Sequence, residues 1–304
     1  MIVLVTGGAG FIGSHLVQHF QGRATVRVLD SLRTGRRANL DGLQCEFIEG
    51  SIQDAGLVAA AMDGVDYVFH LAALVSVPES MARPRDCLAI NGEGLLIVLE
   101  AAARAKVKKL CFSSSAAVYG DNPISPKTED LCPAPISPYG VTKLDGEYYC
   151  GIFAREGWLP TVCLRYFNVF GPRQDPKSPY AAAVAVFADR AARGQDVTIH
   201  GDGTQTRDFV FVKDVVAANA YLAQRPEGGV FNVACGQGTS IRALADQIIA
   251  LTGSSSRVVH GPSRAGDIKH SLARVDKLLA TGFRPAWTVA AGLREMLTPT
   301  AKPA

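Results

Sequence analysis

Along the first half of the chain the apolar residues fall into short, nearly unbroken runs rich in β-branched side chains, at 2–6, 25–30, 45–48, 66–70, 110–113 and 161–166. Unbroken rather than alternating apolar character predicts strands covered on both faces, as in a parallel sheet. Between these runs lie segments with helical spacing, at 11–20, 55–62, 85–105 and 139–155. Strand and helix in regular alternation predict a doubly wound α/β domain.

Beyond residue 166 the pattern changes. Connections rich in Pro and Gly stand at 171–172, 176–179 and 201–203, and helical spacing returns at 180–193, 212–223 and 241–251. The expected organisation is a first domain over 1–166, with a return segment near 209–233, and a smaller C-terminal α/β lobe over 167–208 and 234–298. Residues 299–304 are expected to form a loose tail.

The chain has 304 residues, 48% of them hydrophobic and 19% charged. A chain of this size buries enough apolar surface to fold without disulfides or a structural metal. Its 31 basic and 28 acidic residues leave a net charge of +3 with no basic stripe, so neither a nucleic acid nor a membrane is an expected partner. Seven cysteines stand at 45, 87, 111, 132, 150, 163 and 235, the nearest two 13 residues apart. No CxxC pair or disulfide framework is written there, no metal centre is expected, and reduced thiols fit a cytoplasmic protein. The first residues carry no basic leader, and no apolar run nears the roughly 20 residues that span a bilayer.

After the first predicted strand the chain reads Thr6-Gly7-Gly8-Ala9-Gly10-Phe11-Ile12-Gly13. A glycine turn between strand and helix lets backbone amides and a helix N-terminus approach a pyrophosphate, and its last glycine lets the helix lie close on the strand. The pattern alone is weak, but it opens the first strand-helix unit, and the second strand ends in Asp30, 20 residues after Gly10. A carboxylate there accepts hydrogen bonds from ribose hydroxyls and repels a 2′-phosphate, which favours NAD over NADP in a Rossmann-type domain. Arg33, Arg36 and Arg37 follow directly and are the alternative, as cations able to hold that phosphate.

Tyr139-Gly140-Val141-Thr142-Lys143 is the one YxxxK tetrad in the sequence. At the start of a helix, this spacing puts phenol and ammonium on one face. A neighbouring ammonium and an oxidised nicotinamide both favour the phenolate, which predicts a tyrosine pKa below the usual value of about 10. Ser113 to Gly120 lies at the carboxyl end of the fifth strand, the edge of a doubly wound sheet where ligands bind. A serine here can hydrogen-bond the hydroxyl that the tyrosine deprotonates.

With these elements in order, the chain resembles the extended short-chain dehydrogenases/reductases and, within them, the nucleotide-sugar 4-epimerases. The resemblance covers roughly residues 1–297. It rests on the glycine turn, Phe69-His70-Leu71-Ala72-Ala73, Asn91, Ser113 to Gly120, Ser137 to Lys143, Leu164 to Pro172, Gly201-Asp202-Gly203 and Arg207-Asp208-Phe209. It implies that Tyr139 is the base, that Lys143 tunes it and binds the nicotinamide ribose, and that Ser115 assists at the sugar 4-hydroxyl. It also implies a tightly bound NAD among Gly7, Gly10, Phe11, Ile12, Gly13, Asp30, Ser51, Ile52, Leu71, Ala72, Ala73, Asn91, Tyr139, Lys143 and Tyr166. On the substrate side it implies Ser76 and Asn168 near the sugar or phosphates, and Arg207, Arg264 and Asp267 at the pyrophosphate and nucleoside ribose of a UDP-sugar. A homodimer built from 85–105 and 139–155 of each subunit is implied as well. Two positions depart: Ser51 stands where relatives usually carry an acidic residue near the adenine amino group, and Val75 where acetamido-sugar relatives often carry a smaller side chain.

In such epimerases the residue four positions after the aspartate of Arg264-Ala265-Gly266-Asp267 borders the sugar C2 substituent. Here it is Ser271, small enough to admit an N-acetyl group, and Arg173-Gln174-Asp175-Pro176 also resembles the acetamido-accepting branch. The resemblance therefore implies C4 epimerisation of UDP-N-acetylglucosamine and UDP-N-acetylgalactosamine, with activity on UDP-glucose and UDP-galactose. The rivals are a uronate 4-epimerase or decarboxylase, a sugar-nucleotide 4,6-dehydratase and an NAD-sensing binding module. Ala116-Ala117 after Ser115 lacks the acid-base pair that a dehydratase uses, and an intact Ser115, Tyr139 and Lys143 set argues against a mere sensor.

Overall fold

The computed structural model describes residues 1–176, 182–263 and 269–298. In the first half, strands β1 (Ile2–Thr6), β2 (Thr25–Asp30), β3 (Glu46–Glu49), β4 (Tyr67–His70), β5 (Lys109–Ser115) and β6 (Thr161–Tyr166) alternate with helices α1 (Phe11–His19), α2 (Ala55–Ala61), α3 (Val77–Ala82), α4 (Pro84–Leu88), α5 (Gly94–Arg104) and α6 (Pro138–Arg155). In the second half follow β7 (Asn168–Phe170), α7 (Ala183–Ala192), β8 (Val197–His200), β9 (Thr206–Phe211), α8 (Val212–Ala223) and β10 (Gly229–Val233). The described chain ends with β11 (Gly238–Ser240), α9 (Ile241–Thr252), β12 (Val258–Gly261), β13 (His270–Ser271), α10 (Asp276–Ala280) and α11 (Val289–Leu297).

Seven parallel strands form the main sheet in the order β10-β6-β5-β4-β1-β2-β3. The order reverses at β1, so the glycine turn after β1 opens into the crevice where doubly wound sheets bind their ligands. The unbroken apolar runs have the expected cause: Val3 and Val5 of β1 pack with Leu16 of α1 and Val215 of α8, while Leu4 between them packs with Val58 of α2 and Leu99 of α5 on the opposite face. At the far edge β10 arrives after the excursion into the second lobe and pairs β6 over 229–233. The Lys109 ammonium donates to the carbonyls of Leu222 (3.3 Å), Arg225 and Glu227 (2.9 Å), fixing the turn from α8 into β10.

The second lobe holds β9 with β11 antiparallel on one side, β13 parallel on the other, and β7 as a further partner, together with a β8–β12 pair. The single helix expected over 85–105 is divided. A π-helical stretch, Ala89–Glu93, separates α4 from α5. The extra residue per turn swings Asn91 inward, where its amide meets four protein groups. The helix expected over 180–193 runs Ala183–Ala192, with its first expected residues and the tail 299–304 outside the described part. Among the described residues, no helix is long and apolar enough to cross a membrane.

Candidate active site at the carboxyl edge of the sheet

The turn after β1 is drawn tight by backbone bonds from Gly7 to Leu29 (2.8 Å) and from Gly10 to Gly7 (3.1 Å). Gly7 has φ of +73°, and a Cβ there would lie 2.7 Å from the Ala72 nitrogen; a Cβ on Gly13 would lie 2.2 Å from the Gly7 carbonyl oxygen. Both positions therefore require glycine. Helix α1 begins here with no side-chain cap at Gly10 and no acidic residue in its first turn. Its first amides and the positive end of its dipole stay available for an anion, which fits a dinucleotide pyrophosphate. Thr6 Oγ1 lies 2.9 Å from His70 Nδ1 and accepts from the Leu71 and Ala72 amides at 3.2 and 3.3 Å, so the segment after β4 is held beside the turn.

Asp30 is buried at the end of β2 and accepts from the amides of Ala9 (2.9 Å) and Leu32 (2.8 Å). Burial raises its pKa, an effect these two amides partly offset. Four acceptor sites on a carboxylate leave capacity for ribose hydroxyls. The three arginines beyond it have other partners: Arg33 pairs with Glu79 at 2.5 Å, Arg36 pairs with Asp175, and the Arg37 guanidinium lies 3.8 Å from the centre of the Phe47 ring. The surroundings of Asp30 thus fit NAD and not a 2′-phosphate. Ser51 keeps its hydroxyl for the Gln53 amide at 3.1 Å, and Ile52 is buried in the core layer with Val58 and Leu95.

At the end of β5, Ser115 stands in extended conformation and begins a 3-10 turn, Ala116–Tyr119, where its Oγ accepts from the Ala117 amide at 3.1 Å. Helix α6 starts opposite, capped by Ser137, whose Oγ accepts from Gly140 at 3.1 Å. A Cβ on Gly140 would sit 2.8 Å from the Ala117 carbonyl oxygen, so the bare glycine is what brings the neighbouring Tyr139 up to Ser115. The Ser115 side chain is close enough to the Tyr139 phenol to favour its ionised form. One turn further, Lys143 is buried, its Nζ 5.8 Å from the centre of the Tyr139 ring and donating to the Ser113 carbonyl at 2.7 Å. Burial lowers the Lys143 pKa to about 8.

The low pKa expected for the tyrosine depends on a bound nicotinamide as well as on Lys143. In the protein by itself burial, the larger effect, raises Tyr139 above the usual phenol value, and the nearby Ser115 hydroxyl offsets only part of that. The physical reason is desolvation: the same burial that weakens the ammonium also disfavours a phenolate.

Asn91 and Tyr166 direct their polar tips to protein groups. The Asn91 amide accepts from Leu74 N (2.7 Å) and donates to Leu74 O (3.0 Å) and Thr142 Oγ1 (3.0 Å), tying the segment after β4 to α6. The Tyr166 hydroxyl lies 3.1 Å from Ser113 Oγ and 2.7 Å from Asn219 Nδ2. Ser76 caps α3 by accepting from Glu79 N at 3.1 Å. Asn168 and Arg207 come together, 39 residues apart in sequence, on the wall of a cavity of about 540 Å³ that Phe187, Arg190, His200 and Gln205 also line. Ser271 is in parallel register with Arg207. Arg264 and Asp267 lie outside the described residues.

The segment 173–176, read from sequence as a mark of the acetamido-accepting branch, reaches both ways: Gln174 donates to Val169 O at 3.1 Å, on the wall of the cavity, while Arg173 turns to α1. Arg173, at φ of +67°, donates to His15 Nδ1 (2.7 Å), Gln18 Oε1 (2.6 Å) and Asn39 O (3.2 Å).

Sequence reasoning missed the support beneath α6. Glu147, four residues after Lys143, forms a two-point ion pair with Arg165 of β6 and accepts from Ser114. The Arg165 guanidinium also lies 4.7 Å from the centre of the Tyr119 ring. The i, i+4 step from Lys143 was the available signal, since it puts Glu147 on the same inward face.

The model of the NAD dependent epimerase/dehydratase family matches residues 3–234. The chain belongs to that family. A UDP-N-acetylglucosamine 4-epimerase from Methanobrevibacter ruminantium, solved with UDP-N-acetylmuramic acid, is 40% identical with a TM-score of 0.93, over 97% of this chain and 96% of that one. A UDP-glucose 4-epimerase from Thermotoga maritima, solved with UDP-glucose, is likewise 40% identical with a TM-score of 0.93, over 98% and 97%. A UDP-N-acetyl-alpha-D-glucosaminuronate decarboxylase from Bacillus cytotoxicus is 35% identical over 85% of this chain and 83% of its own length. The chain is thus an NAD-using member of the nucleotide-sugar epimerase family.

Proposed function

We propose that the protein interconverts the C4 epimers of UDP-sugars, UDP-N-acetylglucosamine with UDP-N-acetylgalactosamine first, and UDP-glucose with UDP-galactose as well. The observation that carries this reading is the placing of Tyr139 beside Ser115 at the end of β5, with the Lys143 ammonium 5.8 Å from the centre of the Tyr139 ring. Bound NAD supplies a hydride acceptor and a positive ring that favours the phenolate. Tyr139 takes the proton of the sugar 4-hydroxyl and returns it after the sugar has turned. Ser115 holds that oxygen at the right distance, and Lys143 keeps positive charge beside the phenol. Gly10 and the first turn of α1 hold the pyrophosphate of the cofactor, and Asp30 its adenosine ribose.

For the substrate, the cavity walled by Asn168 and Arg207 has the size of a nucleotide pocket, and a guanidinium there suits a diphosphate. Ser271 beside Arg207 supports room for an acetamido group. A uronate-specific reaction is the second reading, favoured by the similarity to the decarboxylase. Two consecutive alanines after Ser115 leave a dehydratase without its acid and base. Exposed Leu88 on α4 and exposed Val141, Tyr148 and Ile152 on α6 support a homodimer through these helices.

The test is incubation of the NAD-loaded protein with each UDP-sugar and chromatographic resolution of the C4 isomers. Interconversion of both pairs is expected. Consumption of UDP-glucuronate with no change in the neutral sugars would move the assignment to the uronate reading.

A further inference from the structure

An ion pair joins the two segments that flank the glycine turn. In the sheet β1 lies between β2 and β4, so the glycine turn after β1 is flanked by the segment after β2 and the segment after β4. Arg33 belongs to the first of these segments and Glu79, on α3, to the second, and they meet at 2.5 Å. Their side chains are only 34% and 27% exposed. A second connection runs from the same post-β2 segment to the other lobe, where Arg36 pairs with Asp175 and Asn39 O accepts from Arg173. The residue after Glu79, Ser80, accepts from the Tyr139 amide at 3.2 Å, so the helix that bears Glu79 is also the seat of the proposed base.

We infer that Arg33 and Glu79 form a clasp across the mouth of the dinucleotide crevice and set how long NAD remains bound. The clasp acts through the loop that follows Asp30 and through α3, not by touching the reacting atoms. It matters because an epimerisation takes hydride from the sugar and gives it back to the same sugar. The cofactor must stay in place through that cycle, and its rate of escape counts as much as its affinity. A partly shielded pair holds more strongly than a fully exposed one, yet it remains open to salt. The inference rests on the family's cofactor and is independent of which sugar is turned over.

The test reads NAD release and needs no turnover. Wild type, Arg33→Ala, Glu79→Ala and the double variant are loaded with NAD, desalted, diluted into a trap for free NAD, and sampled for retained cofactor over time. Each single variant is expected to release NAD roughly fivefold faster, the scale of a half-buried ion pair. The double variant is expected to release it no faster than the singles, because both remove one interaction. In about 1 M salt the wild type should approach the variants. Release from both single variants at the wild-type rate would overturn the clasp. So would Glu79→Ala holding NAD longer while Arg33→Ala loses it, since Arg33 would then be a direct ligand of the cofactor phosphates freed from a competing carboxylate. Effects of the two substitutions that simply add would overturn it too.

Discussion

Glu147 of α6 and Arg165 of β6 meet in a two-point ion pair, Nη2 to Oε2 at 2.7 Å and Nε to Oε1 at 2.8 Å, with side-chain exposures of 3% and 4%. Burial works against the guanidinium charge, but the facing carboxylate overrides it and raises the Arg165 pKa. Removing one partner of such a pair leaves an uncompensated charge in a dry environment. Glu147→Gln is therefore expected to lower stability by about 3 kcal/mol, read as a shift of the guanidinium unfolding midpoint. A change of less than about 1 kcal/mol would show that the pair adds little beyond its desolvation cost.

Tyr139→Phe keeps the aromatic body in its slot and removes only the hydroxyl. Turnover should fall by a factor of about 10² to 10⁴, the usual scale of general acid-base catalysis, while NAD retention stays at the wild-type level. Unchanged turnover would take the proton away from Tyr139.

His15 links α1 to the second lobe in a defined tautomer. Arg173 donates to its Nδ1, so its Nε2 carries the hydrogen that Pro172 O accepts at 3.0 Å. Burial, then the charge of Arg173, lowers its pKa from 6.5 to about 4. Between these values the unfolded chain binds more protons than the folded one, so the contribution is intact above about pH 6.5 and is lost as pH falls towards 4. The loss is up to about 3 kcal/mol at pH 4, from a shift of that size. His15→Gln, which keeps a donor for Pro172, should lose less stability than wild type between pH 7 and pH 4 in paired denaturation curves. Parallel curves would remove His15 from the acid response.

Ser271→Tyr tests the assignment of sugar size. An aromatic ring beside Arg207 should reduce turnover of UDP-N-acetylglucosamine by more than about tenfold and leave UDP-glucose within a factor of about three, through loss of fit at one substituent. Equal losses on both sugars would detach Ser271 from the C2 position.

Much of the architecture was readable before any coordinates. The runs at 2–6, 25–30 and 161–166 coincide with β1, β2 and β6, because nearly unbroken apolar stretches of this length leave few alternatives, and the helical spacing at 212–223 coincides with α8. None of the strands β7 to β13 was anticipated. All but β9 have five residues or fewer, and their pairings join residues as distant as Asn168 with Phe209 and Thr206 with His270, so no local pattern announces them. The division of 85–105 followed from the inward turn of one amide, that of Asn91, which helical periodicity does not carry. At the site, Ser115, Tyr139 and Lys143 were legible as residue types at an appropriate edge. Glu147, Arg165 and Ser80 were not, since each acts by touching a residue from another segment.

The last strand to join the main sheet, β10, is made of residues 229–233, long after the other six have been synthesised. A ribosome therefore releases the crevice-forming half with its β6 margin bare, and that margin stays open until translation has passed residue 233. Any premature stop or proteolytic cut upstream of that point would leave a sheet edge ready to pair with another chain, so fragments of this protein should accumulate as insoluble material instead of as a working half.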